Sequence, residues 1–268
     1  MLRLPVLFAL ALLPPSGDGV AAAGWRQGWG LAQATPATSS NAAFAELQLL
    51  RRAGGYSVQV RNRLAGPVQV RLHGSALPQA NPPAPVLLRA GEQRVLAWLP
   101  GNNGKARLLL DASPGDPRAR ADATRYQLPF RADDVRVSQA SNGHYSHQDA
   151  QNRHAVDFPL APGTPVLAAR GGVVMQALEG DAELGNLLRV LHGDGSMAVY
   201  GHLQAGSFKV AAGQAVHAGQ PLAASGNSGR SSGPHLHFAV QTNIGLALAS
   251  TPFRMAGPKG ELKFPRDP

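Results

Sequence analysis

The sequence predicts an all-β chain of two units, and three observations predict it. Short runs that alternate apolar and polar residues recur between glycine- and proline-rich breaks, the pattern of half-buried strands joined by turns. No convincing amphipathic helix separates the runs of the second half, and neither an internal repeat nor a heptad pattern is present. Eight of the nine histidines lie beyond residue 140, which places the chemistry in the second unit. With 268 residues the chain is long enough for two modest cores.

Taken in order, residues 1–23 read as a secretory signal peptide. Arg3 precedes a short apolar run, Pro14-Pro15 end it, and Ala21-Ala22-Ala23 offer small residues for cleavage, expected after Ala23. A membrane anchor needs about 20 apolar residues, far more than this run supplies, and no other stretch is long enough, so no transmembrane segment is expected. Residues 24–40 are small and polar and read as a flexible linker.

Residues 41–130 carry Tyr56–Val60 and Val68–Leu72, joined by the turn Leu64-Ala65-Gly66-Pro67, then Val86–Leu88, Arg94–Leu99 and Ala106–Leu110. Strands this short at this spacing suggest a small immunoglobulin-like β-sandwich, an accessory or interaction domain. The sandwich is expected to end near Phe130, with a second domain over 131–268. Its strands are Pro165–Ala169, Gly172–Ala177, Asn186–Leu191 and Met197–Leu203, and the tail after Gln241 is expected to wrap irregularly.

Cysteine is absent, which excludes disulfides, thiolate metal ligands and a lipidated cysteine. Any metal site must therefore be built from histidine and carboxylate. The formal charge of +9 rests on arginine, with Lys105, Lys209, Lys259 and Lys263 the only lysines. Such a charge steers an exported protein towards anionic envelope surfaces. A nucleic-acid partner is not expected, because neither a binding motif nor a basic stripe accompanies the charge.

The densest signal is Gly226-Asn227-Ser228-Gly229 through Gly233-Pro234-His235-Leu236-His237-Phe238. On a strand His235 and His237 point to one face while Leu236 and Phe238 point to the core. Two imidazoles on one rigid face are a start for a zinc site. Asp157, between Val156 and Phe158, is a carboxylate beside the core, costly unless it is paired or bound to metal.

Together with Asp157-Phe158, Pro162–Ala169, Gly172-Val173-Val174, Tyr200-Gly201-His202-Leu203, Gly213-Gln214 and Gly219-Gln220, this stretch resembles the lysostaphin-type zinc endopeptidases over roughly residues 143–240. The resemblance implies a compact antiparallel β-sheet domain with a groove over one sheet. It also implies one zinc ion per chain and hydrolysis of peptide cross-links in bacterial peptidoglycan, with its stem peptides as substrate. Asp157 and His237 match the family's metal ligands, and His202 and His235 match its two catalytic histidines. The family's first ligand, a histidine four residues ahead of the aspartate, falls on Arg153 here. His154 is three residues from Asp157 and on extended backbone faces the other way, whereas His147 can return through the polar loop 148–152, so the strand-face argument favours His147 over His154. His144 is a more distant candidate.

Arg170, Asn186 and Ser231 are candidates to line the groove. His192, in a predicted hairpin turn, is expected to be structural, and His217 exposed. The displaced first ligand also leaves an alternative, a catalytically inactive wall-binding regulator of another hydrolase. An exported location is expected, the periplasm of a Gram-negative bacterium or, alternatively, secretion, with an envelope protein as a partner for the first domain.

Overall fold

The structure is a computed structural model that describes residues 37–40 (backbone only), 43–77, 83–101, 107–143 and 146–264. The expected signal peptide, most of the expected linker, and His144 lie outside the described residues. Among the described residues there are strands and no helix.

The first half contributes β1 (Ala37–Ser40), β2 (Ala45–Arg52), β3 (Gly55–Asn62), β4 (Val68–His73), β5 (Val86–Leu88), β6 (Gln93–Pro100), β7 (Arg107–Pro114) and β8 (Arg125–Gln127). The second half contributes β9 (Val156–Pro159), β10 (Pro165–Leu167), β11 (Gly172–Asp181), β12 (Gly185–Leu191), β13 (Met197–Leu203), β14 (Ala215–Val216) and β15 (Pro221–Ala224). It ends with β16 (His235–Asn243), β17 (Leu248–Ser250), β18 (Arg254–Gly257) and β19 (Gly260–Glu261).

Two sheets, in the orders β1-β7-β4-β5 and β2-β3-β6, enclose one apolar cluster in the first half. The alternation that predicted β3 and β4 is visible in their burial: Val58, Val60, Val68, Val70 and Leu72 are inside, while Arg61 and Arg71 face water.

The second half is built on a seven-stranded sheet in the order β14-β11-β12-β13-β16-β17, with β9 also paired to β16. One of its faces carries Leu188, Val190, Ala198, Tyr200, Leu236, Phe238 and Val240 into a second core, joined by Val156 and Phe158 of β9. Tyr200, Phe158 and Phe238 are fully buried, each worth roughly 2–3 kcal/mol of apolar burial. The polar end of Tyr200 is satisfied, since its hydroxyl accepts the Ala169 N–H at 2.8 Å.

The opposite face of this sheet does two jobs. At one end Met175, Leu191 and Met197 leave the second unit and pack in the core of the first. At the other end the same face carries His237. Met197 and Gly201 are four residues apart on β13, about 13 Å.

Two expectations are corrected. The tail after Gln241 is not irregular: β16 continues to Asn243, β17 pairs back onto it, and β18 pairs in parallel with β8. Residues 37–40, expected within the linker, form β1 and pair in parallel with β7. Tyr126 of β8 and Phe130, at the expected end of the first unit, pack in the second core. Proline and glycine in the tail mask strands of two to four residues, too short for periodicity to reveal.

Candidate metal centre

The register of β9 against β16 builds the centre. His237 pairs directly with Asp157, Leu236 with Phe158 and Phe238 with Val156, so one strand pair sends its apolar residues to the core and its polar residues to the other face. His237 Nδ1 is 2.9 Å from Asp157 Oδ1, and His235 Nε2 is 3.8 Å from the same oxygen. His147 arrives from the loop before β9, with its Nε2 3.3 Å from Asp157 Oδ2. The candidate ligand atoms of His147, Asp157 and His237 all lie within 4.8 Å of one another, and all three side chains are buried.

His202 reaches the group by a departure from strand geometry. Gly201 is opposite His237, so simple alternation would turn His202 to the core face. A register shift between Asn186 and Leu188 opens a bulge there, and His202 adopts φ +58°. That left-handed conformation is rare for a residue with a side chain, and the bulge re-aims the imidazole. The His202 N–H donates to Leu184 O at 2.8 Å, and its ring lies 4.5 Å from that of His235, centroid to centroid. Gly201 adds no side chain over His237, where a Cβ would come within 3.4 Å of its Cβ.

The Gly-Asn-Ser-Gly loop supports this arrangement by close approach. A Cβ on Gly229 would lie 2.2 Å from the Gly185 nitrogen, so only glycine lets the loop settle on the β11–β12 hairpin. Ser228 is thereby placed to bond the Asn186 N–H through its hydroxyl and to accept His202 Nδ1–H through its carbonyl, both at 2.8 Å. His235 Nδ1 donates likewise to Gly233 O at 2.8 Å, with Ser231 Oγ 3.2 Å away.

The donor set fits a cation. His147 Nδ1 donates to Ala140 O at 2.9 Å, which leaves its Nε2 as a lone pair facing a carboxylate. Nε2 of His147 and Nε2 of His237 are both buried without a hydrogen-bond partner. Two buried imidazoles against one carboxylate form a donor set that could hold a metal ion.

Electrostatics agree. Burial alone would raise Asp157, but hydrogen bonds and charge from His147 and His237 hold it well below the usual carboxylate range. Burial alone would lower His147, but the Asp157 carboxylate outweighs that and raises it. Burial pushes His202 down to about 4, with the Ser228 carbonyl opposing.

The other candidates separate. His154 is turned away, with Nδ1 2.9 Å from Ser141 Oγ. Asn186 and Ser231 border the site as supports, Asn186 Nδ2 donating to Leu203 O at 3.0 Å. Arg170 is not in the groove: it binds Asp194 at 2.8 Å and Asp122 at 3.0 Å, beside the β12–β13 turn and at the far end of β13 from His202. His192 is buried in that turn with Nδ1 2.9 Å from Gly171 O, and His217 is exposed. Gln139, which no periodicity or motif singled out, donates from Nε2 to Asp157 Oδ2 at 3.2 Å.

An uncharacterized metalloprotease of Haemophilus influenzae is 36% identical over 122 residues, covering 44% of this chain and 25% of that protein. The peptidoglycan DD-endopeptidase ShyA of Vibrio cholerae is 34% identical over 112 residues, covering 41% of this chain and 25% of that protein. The chain thus spans about a quarter of the length of these relatives. The antimicrobial peptidase lysostaphin from Staphylococcus simulans is 26% identical with a TM-score of 0.40, over 49% of this chain and 52% of that one. The match to the family itself takes in Asp157, His202, His235 and His237 and begins just after His147: residues 151–247 are a domain of peptidase family M23.

Proposed function

We propose that this protein is a zinc-dependent endopeptidase that hydrolyses peptide cross-links of bacterial peptidoglycan. The observation that carries the reading is the convergence of His147, Asp157 and His237 into one buried group beside His202 and His235. The relative named as a peptidoglycan DD-endopeptidase supports the substrate class. When bound, zinc would acidify a water towards a pKa of roughly 7 and polarise the scissile carbonyl.

His147, Asp157 and His237 would hold the ion. His202 is assigned as the base. Burial keeps its ring neutral, and its Nδ1–H is tied to Ser228 O, so Nε2 is the atom that accepts a proton from the attacking water. The proton then sits where it can pass to the leaving amine. His235 is the more exposed of the pair, its side chain 15% accessible, and stands at the mouth of the site. Held through Nδ1 by Gly233 O, it would be the second histidine to act on the scissile carbonyl as negative charge develops there.

The reading extends to the rest of the chain. Residues 1–23 would export the protein to a Gram-negative periplasm. Residues 41–130, with β1 added to their sheet, would be an immunoglobulin-like domain that positions the peptidase or engages an envelope partner, and the residues before β1 would be a linker. Stem peptides would be the substrate, and a nucleic-acid partner is not expected. The regulator alternative rests on the missing histidine at position 153; the approach of His147 Nε2 to 3.3 Å from Asp157 Oδ2 supports it as that donor and favours the enzyme.

The test is zinc content and muropeptide release from purified sacculi by the full chain and two variants. His237→Ala should lose both zinc and turnover. His235→Ala should keep most of the zinc and lose at least about 100-fold in turnover. Full activity after exhaustive chelation would sink the reading.

A further inference from the structure

Resting on that zinc reading, we infer that Gln139 is a positioning residue for the metal centre, and that residue 143 is glycine because the Gln139 side chain occupies the space its Cβ would need. Gln139 and Asp157 form an isolated antiparallel bridge, and the Asp157 N–H donates to Gln139 O at 2.9 Å. The Gln139 side chain then returns to the same residue: Nε2 donates to Asp157 Oδ2 at 3.2 Å and to Ser146 Oγ at 2.7 Å.

The two carboxylate oxygens are thereby given different neighbours. Oδ1 faces His237 and His235, while Oδ2 faces Gln139 and His147. A carboxylate with only its imidazole neighbours could rotate about its last bond. The amide donor on Oδ2 fixes that rotation and adds no charge that would compete with a cation.

Gly143 completes the device. A Cβ there would lie 2.1 Å from Gln139 Cγ and 2.6 Å from Cδ, inside any real contact distance. Gly143 O also accepts the His147 N–H at 3.1 Å, and Ala140 O accepts His147 Nδ1–H at 2.9 Å. Gln139 and Ala140 therefore orient two of the three candidate ligands at once, Asp157 through an amide and His147 through a carbonyl.

The experiment measures Zn2+ affinity of the full-length chain by competition with a chromophoric chelator, with far-UV circular dichroism as the check on folding. Gln139→Met keeps the bulk against Gly143 and removes the donor; it should weaken zinc about tenfold or more while the fold is kept. Gly143→Ala should weaken zinc comparably by displacing Gln139. The double variant Gln139→Ala/Gly143→Ala should be no weaker than Gln139→Ala alone, since the methyl then has room. Turnover lost in Gln139→Met should recover at saturating zinc, which a merely structural side chain would not predict. Zinc affinity equal to the parent in a folded Gln139→Met overturns the inference while leaving the zinc reading intact. A rise in turnover at unchanged affinity overturns it too, because Gln139 would then be obstructing the site. A parent that binds no zinc removes both.

Discussion

His237 and Asp157 are direct cross-strand partners, with Nδ1 of one 2.9 Å from Oδ1 of the other. Because β9 and β16 are in antiparallel register, this pair is fixed by main-chain bonds and not by loop conformation. The third candidate ligand, His147, is different, since it depends on how a turn of polar residues folds back.

That difference gives the first prediction. His147→Ala should reduce bound zinc from about one equivalent to near zero, because a site left with two protein ligands loses most of its affinity. His154→Ala should leave zinc unchanged, as its ring is engaged with Ser141. Metal analysis of the purified variants decides it, and zinc lost with His154 and kept without His147 would reverse the assignment.

His202 carries a second prediction through its backbone. At φ +58° an asparagine is tolerated far better than a β-branched residue. His202→Asn should keep fold and zinc and lose at least about 100-fold in kcat. His202→Val should lose the same activity and, in addition, roughly 1–3 kcal/mol of stability from strain. Denaturant titration of the two variants side by side separates the imidazole from the conformation.

How far these features could be read in advance follows from their physics. The faces of β3, β4 and β16 are legible because strand alternation repeats every two residues. Asp157 stands out because an acid flanked by Val156 and Phe158 needs a partner. The strand-face argument turns His154 from Asp157, and in the structure the His154 ring lies against Ser141 Oγ while His147 Nε2 lies 3.3 Å from Asp157 Oδ2. His202 is different: alternation would aim it into the core, and only a bulge, set by the register of β13 against β12, brings it round. Gln139 has no periodic signature at all, since its role depends on a bridge formed across 18 residues. The sharing of Met175 and Met197 with the first core is likewise invisible, because a buried methionine looks the same whichever core receives it. The strands of the tail escaped notice for want of length.

A third prediction concerns pH and the β12–β13 turn, away from the proposed zinc site. Burial pushes His192 below its ordinary value, and the charge of Arg170 pushes the same way. The folded state thus holds His192 neutral, while the unfolded chain takes up a proton near pH 6.5. Its contribution is complete above that pH and is lost as pH falls from there towards the folded value. His192→Gln cannot titrate. The stability advantage of the parent over this variant should therefore shrink between pH 7.5 and 5.5, as read from urea midpoints at constant m-value. An advantage that is constant across that range would mean the ring does not titrate differently in the two states.

The last prediction tests whether the two halves fold as one body. Met197 belongs to the sheet that holds His237, yet it is fully buried in the core of the first half. Around it, Asn243 Nδ2 donates to Gly115 O at 3.0 Å and the Ala65 N–H donates to Met175 O at 3.0 Å, so the junction is bonded as well as packed. A junction of this kind couples unfolding, and the parent should melt in a single transition by both circular dichroism and tryptophan fluorescence. Met197→Ala opens a cavity at the junction and should cost about 2–5 kcal/mol, shifting both probes together. Two separate transitions in the parent, or a Met197→Ala loss confined to one probe, would show that the two halves are independent and that Met197 fills a surface of one and not a core of both.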